Sequence, residues 1–258
     1  MEKIVLIGAG NVGFHLGKRL FEKGHSVVQV FSRSLSKAQE LAKIIHSEPC
    51  HQLSKVRQDG TLYILAVSDD ALVPIAKTLA SILPQKALVV HTSGATPATI
   101  FGEYFTHYGV FYPLQTFSRN RTVDFAKIPI CIDAADAIDL RRLELLAQSI
   151  SSVVHPINDH QRAVLHVAAV FVNNFTNHLL GIGHDIVTKE NIPFSLLMPL
   201  LDETVAKVKD NPPWDMQTGP AVRGDEETIK RHLHFLERYP AYQALYQQLS
   251  EGIQKSKP

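Results

Sequence analysis

Two hydrophobic periods divide this chain. Up to residue 156, short apolar runs alternate with segments in which apolar positions recur every three or four residues; beyond it only the helical period persists. The run 3–7 (K-I-V-L-I) predicts a strand. Val12, Leu16, Leu20 and Phe21 predict the helix after it, closed by Lys23-Gly24-His25 with glycine at the C-terminal cap. Residues 26–31 (S-V-V-Q-V-F) read as a second strand and 36–45 as a second helix, apolar at Ala38, Leu41, Ala42 and Ile45. Residues 62–67 (L-Y-I-L-A-V) are apolar without a break, the pattern of a strand buried on both faces of a parallel sheet. A helix over 71–83 and a strand over 87–91 follow, then strands at 109–112, 128–132 and 153–155 and a helix over 139–149.

Alternating strands and helices predict βαβ units, hence an α/β fold with a doubly wound, mostly parallel sheet of Rossmann type. After Pro156 the strands stop, and helices are predicted at 159–181, 193–208, 226–237 and 242–252. The expected organisation is therefore a nucleotide-binding domain over 1–157 and an all-α domain over 158–258. The chain carries no internal repeat or low-complexity segment.

The first strand runs into Gly8, Gly10 and Gly13, spaced G-x-G-x-x-G, and then into a helix. A dinucleotide needs this context: Gly8 for the tight turn, Gly10 for close backbone approach to a pyrophosphate, Gly13 for packing of helix on strand. The helix opening near Asn11 offers unpaired N–H groups and the positive end of its dipole to phosphates. Gly8, Ala9, Gly10, Asn11, Val12 and Gly13 form the candidate phosphate turn.

A carboxylate at the end of the second strand would select NAD by accepting the ribose 2′-hydroxyl. This chain has Ser32-Arg33-Ser34 there, a cation flanked by hydroxyls and suited to a 2′-phosphate, so the expected cofactor is NADP(H). A solvated Arg33 with Ser34 as a helix cap is the alternative. Ligands in open α/β sheets bind beyond the carboxyl ends of strands, which brings in Ala66, Val67 and Ser68 along the ribose and nicotinamide. It also brings in Thr92 and Ser93 beside the reacting centre. Asp69 or Asp70 serves equally well as the cap of the next helix.

Composition narrows the partner. The 258 residues, 45% hydrophobic and 20% charged, suffice for real cores, and a formal net charge of +1 without a basic helix face leaves no nucleic-acid footprint. Cys50 and Cys131 stand far apart with no C-x-x-C, consistent with a reducing compartment. No apolar run in the sequence nears a bilayer-spanning length, and nothing reads as a signal segment. The expectation is a soluble, cytoplasmic protein acting on a small molecule, with no membrane, nucleic acid or metal.

The first long helix of the second half holds Asp159, His166, Asn173 and Asn177, spaced to fall on one face of an otherwise apolar helix. Buried polar side chains need partners, which a substrate or cofactor would supply. Hydride transfer to a carbonyl or imine also needs a proton, and histidine titrates near neutrality, so His166 is the candidate donor, with Asn173 and Ser93 orienting the substrate. The alternative gives His166 and Asn173 partners on neighbouring helices or a partner subunit. In the loop 218–225, Arg223 is a candidate for a carboxylate or phosphate or for an interdomain ion pair, and Asp225 is read first as the cap of the following helix. His232 and His234, two apart, point to different faces and form no metal site.

Residues 8–13, 66–70, 91–95, Tyr112-Pro113-Leu114-Gln115-Thr116-Phe117, 161–174 and 218–225 together resemble a family of NADP-dependent oxidoreductases. Its members have a Rossmann-like N-terminal domain and a helical C-terminal domain of undefined function, within the 6-phosphogluconate dehydrogenase-like group. Tyr112 stands where that family's H-P-L-Q-T-F motif has histidine, and the group's lysine on the long helix has no counterpart here. The resemblance implies NADP(H) binding and a homodimer through the helical domain. Relatives include ketopantoate reductases and, more distantly, pyrroline-carboxylate reductases and deazaflavin-dependent NADP reductases. The expected activity is NADP(H)-dependent reduction of a small carbonyl or imine. Ketopantoate reduction is the competing enzyme reading, and a non-catalytic NADP(H)-binding sensor module the competing class.

Overall fold

The computed structural model describes residues 2–256. The first half forms one eight-stranded sheet from β1 (Lys3–Ile7), β2 (Ser26–Phe31), β3 (Glu48–Cys50), β4 (Leu62–Leu65), β5 (Leu88–His91), β6 (Tyr108–Pro113), β7 (Ile130–Ala134) and β8 (Val154–Pro156). Their order is β3-β2-β1-β4-β5-β6-β7-β8, and every neighbouring pair is parallel except β6–β7. Strand β3 escaped the sequence reading because Glu-Pro-Cys is short and carries a proline, tolerated on this edge of the sheet.

The alternation of side chains along the central strands builds two cores. Ile4, Leu6, Leu62, Ile64, Leu88 and Val90 face one side, where they meet Leu16 and Leu20 of α1 (Asn11–Glu22), Leu41 of α2 (Leu35–Ile44) and Leu143, Leu146 and Ile150 of α4 (Ala137–Ile150). Val5, Ile7, Tyr63, Leu65 and Val89 face the other, against Leu72, Ile75, Ala76 and Leu79 of α3 (Asp69–Ala80). The chain leaves β1 on one side through α1 to β2 and later returns to its other flank as β4. The carboxyl ends of β1 and β4 therefore sit at the reversal of strand order, where open α/β sheets bind ligands.

From Asp159 to Lys189 the chain is one continuous helix: α5 (Asp159–Ala169), a π-helical stretch (Val170–Phe175) and α6 (Thr176–Lys189). Asn158 caps it, its side chain accepting from the Gln161 N–H while the Gln161 side chain accepts from the Asn158 N–H. With 31 residues and a mean hydropathy of 1.2 in its most apolar stretch, the helix is long and apolar enough to cross a membrane by length and composition alone. This corrects the expectation drawn from unbroken apolar runs. The run is interrupted by polar residues, yet its average passes, and Val164, Val167, Val172 and Leu179 are exposed. The polar stripe is corrected too. Hydrogen bonds in the π stretch join residues five apart, so Asn173 falls out of the 3.6-residue phase set by His166.

The chain divides into two compact units, the first ending at Asn173 and the second starting at Asn174. The last strand ends at Pro156, close to the change of pattern at residue 157; the first turns of the long helix belong by packing to the first unit. The second unit continues through α7 (Met198–Asp210), α8 (Pro220–Arg223), α9 (Glu226–Phe235) and α10 (Pro240–Lys255). Asp225 caps α9 by accepting from the Thr228 N–H at 3.0 Å, and Tyr242 of α10 donates to Asp185 of α6 at 2.8 Å. Arg223 closes α8 in this unit, between the positive-φ residues Gly219 and Gly224.

Candidate active site

At the carboxyl ends of β1, β2, β4 and β5 opens a cleft of about 890 Å³, lined wholly from the first unit. Gly8 turns out of β1 with φ +120°, and a Cβ there would lie 2.1 Å from the Ala66 carbonyl oxygen. A Cβ on Gly13 would lie 2.0 Å from the Gly8 oxygen; Gly13 is buried and packs the turn rather than lining the cleft. Gly10 is different: a Cβ there would meet nothing within 4 Å, leaving open space against the cleft. No side chain caps α1, whose first turn holds no acidic residue, so its leading N–H groups meet an anion without competition. A dinucleotide pyrophosphate fits this turn.

Ser32, Arg33 and Ser34 line the same cleft beyond β2, and Lys37 joins them from the first turn of α2. Arg33 and Lys37 are exposed, four residues apart, and α2 has neither a side-chain cap nor an acid in its first turn. This end is equipped for a second anion. Lys37 was not singled out in the sequence; its spacing from Arg33 across the start of a helix was the available signal.

Ala66, Val67 and Ser68 line the next stretch. Helix α3 starts two residues earlier than its apolar pattern predicts, so Ser68 is its N-cap residue and Asp69 and Asp70 occupy its first turn rather than capping it. Asp69 also lines the cleft.

Thr92 and Ser93 reach the cleft from β5, but their hydroxyls are already engaged, that of Thr92 donating to the Leu65 carbonyl of β4 at 3.5 Å and that of Ser93 within the loop. Ser93 Oγ accepts from the Ala95 and Thr96 N–H groups at 3.2 and 3.0 Å and donates to Thr96 Oγ1 at 3.0 Å. Buried Arg162 of α5 donates Nη2 to the Thr96 carbonyl at 2.7 Å and pairs with Asp159, whose carboxylate accepts from the Ala98 N–H at 2.8 Å. Asp159 thus serves this clamp rather than the cleft. Burial alone would raise its pKa; the Ala98 N–H and Arg162 outweigh that and hold it low. Beneath the loop, fully buried His91 accepts from the Ser93 N–H on Nδ1 at 3.2 Å, and its Nε2 has no partner among the described residues. Burial, and secondarily Arg162, push its imidazole down to about 4.

His166 lines the cleft from α5, and Tyr112 from the end of β6 lies beside it, hydroxyl to Nδ1 at 3.3 Å. Gly94 permits the pair, since a Cβ there would fall 2.5 Å from His166 Nδ1 and 2.7 Å from Tyr112 Cζ. Burial pushes the Tyr112 phenol up to about 12, so it keeps its proton. Tyr112 is the functional candidate that sequence reasoning passed over as a departure from a motif. Because β6 runs parallel to β5, the strand-end rule already pointed to it. Asn173 is exposed in the π stretch and does not line the cleft. Among the described residues, His107, Asp136 and Asp139 are grouped closely enough for a metal. Asp139 there is shared by His107 at 2.6 Å and Arg142 at 2.7 Å, and Asp136 caps α4.

Residues 3–94 match the family model of the coenzyme F420-dependent NADP oxidoreductases, and 128–253 match a domain of unknown function, DUF2520. The solved structure of BF3122 from Bacteroides fragilis, named a putative NADP oxidoreductase, is 42% identical over 98% of both chains, with a TM-score of 0.94. An imine reductase from Myxococcus stipitatus in complex with NADP+ is 15% identical over 98% of this chain and 93% of its own, with a TM-score of 0.73. A pyrroline-5-carboxylate reductase from Coxiella burnetii is 12% identical over 100% and 99%, with a TM-score of 0.60. Both of these share the fold. No curated protein matches the chain.

The buried imidazole makes the fold acid-sensitive. With a folded value of about 4 for His91 against an ordinary 6.5, the unfolded chain binds an extra proton between those values. Stability therefore falls with pH through that window, by about 2 kcal/mol at roughly pH 4.5. Urea midpoints at neutral and acid pH should show the decline in the wild type and a smaller one in His91→Asn. Equal declines in the two proteins would refute the assignment.

Proposed function

Because the chain belongs to the NADP oxidoreductase family, with that family's N-terminal domain followed by DUF2520, we propose that it reduces a small carbonyl or imine compound with NADPH as reductant. The observation that carries this reading is that one cleft joins Arg33 and Lys37 to the Tyr112–His166 pair by way of the glycine turn. When bound, the cofactor supplies a hydride. The turn at 8–12 and the start of α1 hold its pyrophosphate, and Ser32, Arg33, Ser34 and Lys37 hold its 2′-phosphate by charge-assisted hydrogen bonds. The fixed backbone at Thr92 and Ser93 borders the reacting end.

The substrate nitrogen or oxygen, which gains electrons on reduction, would take its proton from His166 in its imidazolium form, leaving the neutral ring. Tyr112 occupies Nδ1 of that ring, which leaves Nε2 for the substrate. An imine is the favoured substrate class, because imine reductase and pyrroline-5-carboxylate reductase are named for such compounds and share this fold. A second copy of the chain is the partner we propose for the exposed Val164, Val167, Val172 and Leu179 of the long helix. Buried, unpaired Cys50 and Cys131 are in keeping with a cytoplasmic location.

Three experiments test this. Arg33→Ala and Lys37→Ala should each raise the Kd for NADPH roughly tenfold and leave that for NADH within about twofold; equal losses for both nucleotides would remove the 2′-phosphate site. NADPH oxidation should be followed over a panel of cyclic imines, aldehydes and 2-oxo acids. His166→Ala should lower kcat about a hundredfold or more and Tyr112→Phe about tenfold. Full activity in His166→Ala would discard the donor, and tight NADPH binding with no turnover on any compound would favour the sensor reading. Light scattering should give a dimer that Val167→Glu with Val172→Glu dissociates. A monomeric wild type, or one that partitions into vesicles, would remove the second copy.

A further inference from the structure

The connection from Leu114 to Pro129, between antiparallel β6 and β7, needs no crossover helix and holds only a short 3-10 turn at Phe125–Lys127. It lies instead across the start of α1. Asn11 Nδ2 donates to the Phe117 carbonyl at 2.9 Å, His15 Nε2 donates to the Ser118 carbonyl at 3.0 Å, and the Phe117 ring stacks on that of His15 at 5.4 Å. Next along it, Arg119 donates Nη2 to the Ala9 carbonyl at 2.7 Å and pairs Nη1 with Glu40 at 2.5 Å, its guanidinium 4.8 Å from the Phe14 ring centre.

Of the two partners of Arg119, one lies in the glycine turn and the other outside the cleft on α2. Ala9 lies between Gly8 and Gly10 in the phosphate turn, and Glu40 lies one turn beyond Lys37 on α2. A backbone carbonyl carries negative charge on its oxygen, and in a turn that must receive a pyrophosphate it is the group that opposes binding if it swings inward. A guanidinium has the planar fork to hold that oxygen and Glu40 at once, whereas an ammonium on a flexible stem has no such geometry.

We propose that Arg119 is a positioning residue for the cofactor's pyrophosphate. It holds the Ala9 carbonyl away from the incoming phosphates and ties the turn to α2, so that turn and helix are set before NADPH arrives. The inference rests on the NADPH reading of the cleft and extends it to a residue that does not line the cleft.

Calorimetric titrations of the full chain with NADPH, NADH, ADP and adenosine 2′-monophosphate test it. Arg119→Ala should weaken NADPH and NADH alike, about tenfold, keeping their ratio, and should weaken ADP while leaving adenosine 2′-monophosphate within about twofold. Arg119→Lys should recover less than half of the loss on a logarithmic scale. Glu40→Gln, which leaves the Ala9 bond in place, should cost less than Arg119→Ala. Wild-type affinities in Arg119→Ala, full recovery by lysine, or a loss confined to NADPH and adenosine 2′-monophosphate would overturn the proposal. A wild type that binds none of the four would instead overturn the cofactor reading. Matching urea midpoints for wild type and Arg119→Ala should separate a loss of positioning from a loss of fold; a parallel drop in both would count against it.

Discussion

Everything in the first unit is arranged around a place where three backbones meet with no side chain between them. The carbonyl of Gly8 fills the space where Gly13 would carry a methyl, and the carbonyl of Ala66 fills the one Gly8 would need. Strand β1, helix α1 and the end of β4 are thereby drawn to the closest approach that polypeptide allows. The N–H groups of α1 come level with the carboxyl edge of the sheet as a result. The cleft is what is left over on the open side, where Gly10 has no neighbour.

A second constraint works from the opposite wall. A fully buried arginine costs free energy unless it is paired, and Arg162 is held through Nη2 alone, by the Thr96 carbonyl and Asp159, while its Nε and Nη1 have no hydrogen-bond partner among the described residues. The loop after β5 is consequently tied to α5 through its backbone. The Ser93 and Thr96 hydroxyls bond to each other and that of Thr92 to the Leu65 carbonyl, so the loop offers the cleft shape, while the Tyr112–His166 pair offers exchangeable protons. One helix thus supplies a structural cation and a reactive ring four residues apart.

The sheet was legible because each strand's apolar run and each helix's repeat are local signals, and the glycine spacing named the ligand edge. Arg33 was legible for the same reason, since its place follows from the end of one strand. What failed depended on geometry that no local pattern carries. Asp159 turned away from its expected stripe because the buried Arg162, invisible as such in the sequence, claims it. Asn173 left the stripe because a π stretch breaks the 3.6 period. Tyr112 was undervalued because it was compared with a motif instead of with its neighbours in the sheet.

The reversal between β6 and β7 has a bearing on how such a chain tolerates change. A parallel neighbour would have obliged the intervening residues to form a crossover helix; the antiparallel one does not, so the segment sends Phe117, Phe125 and Ile128 into the core while Arg119 between them reaches the Ala9 carbonyl of the glycine turn. Changes of length among residues 119–122, exposed or half-buried between the buried Phe117 and Phe125, would therefore spare the sheet while disturbing the hold of Arg119 on the Ala9 carbonyl. That short stretch is where this architecture can vary the setting of its glycine turn without rebuilding the sheet.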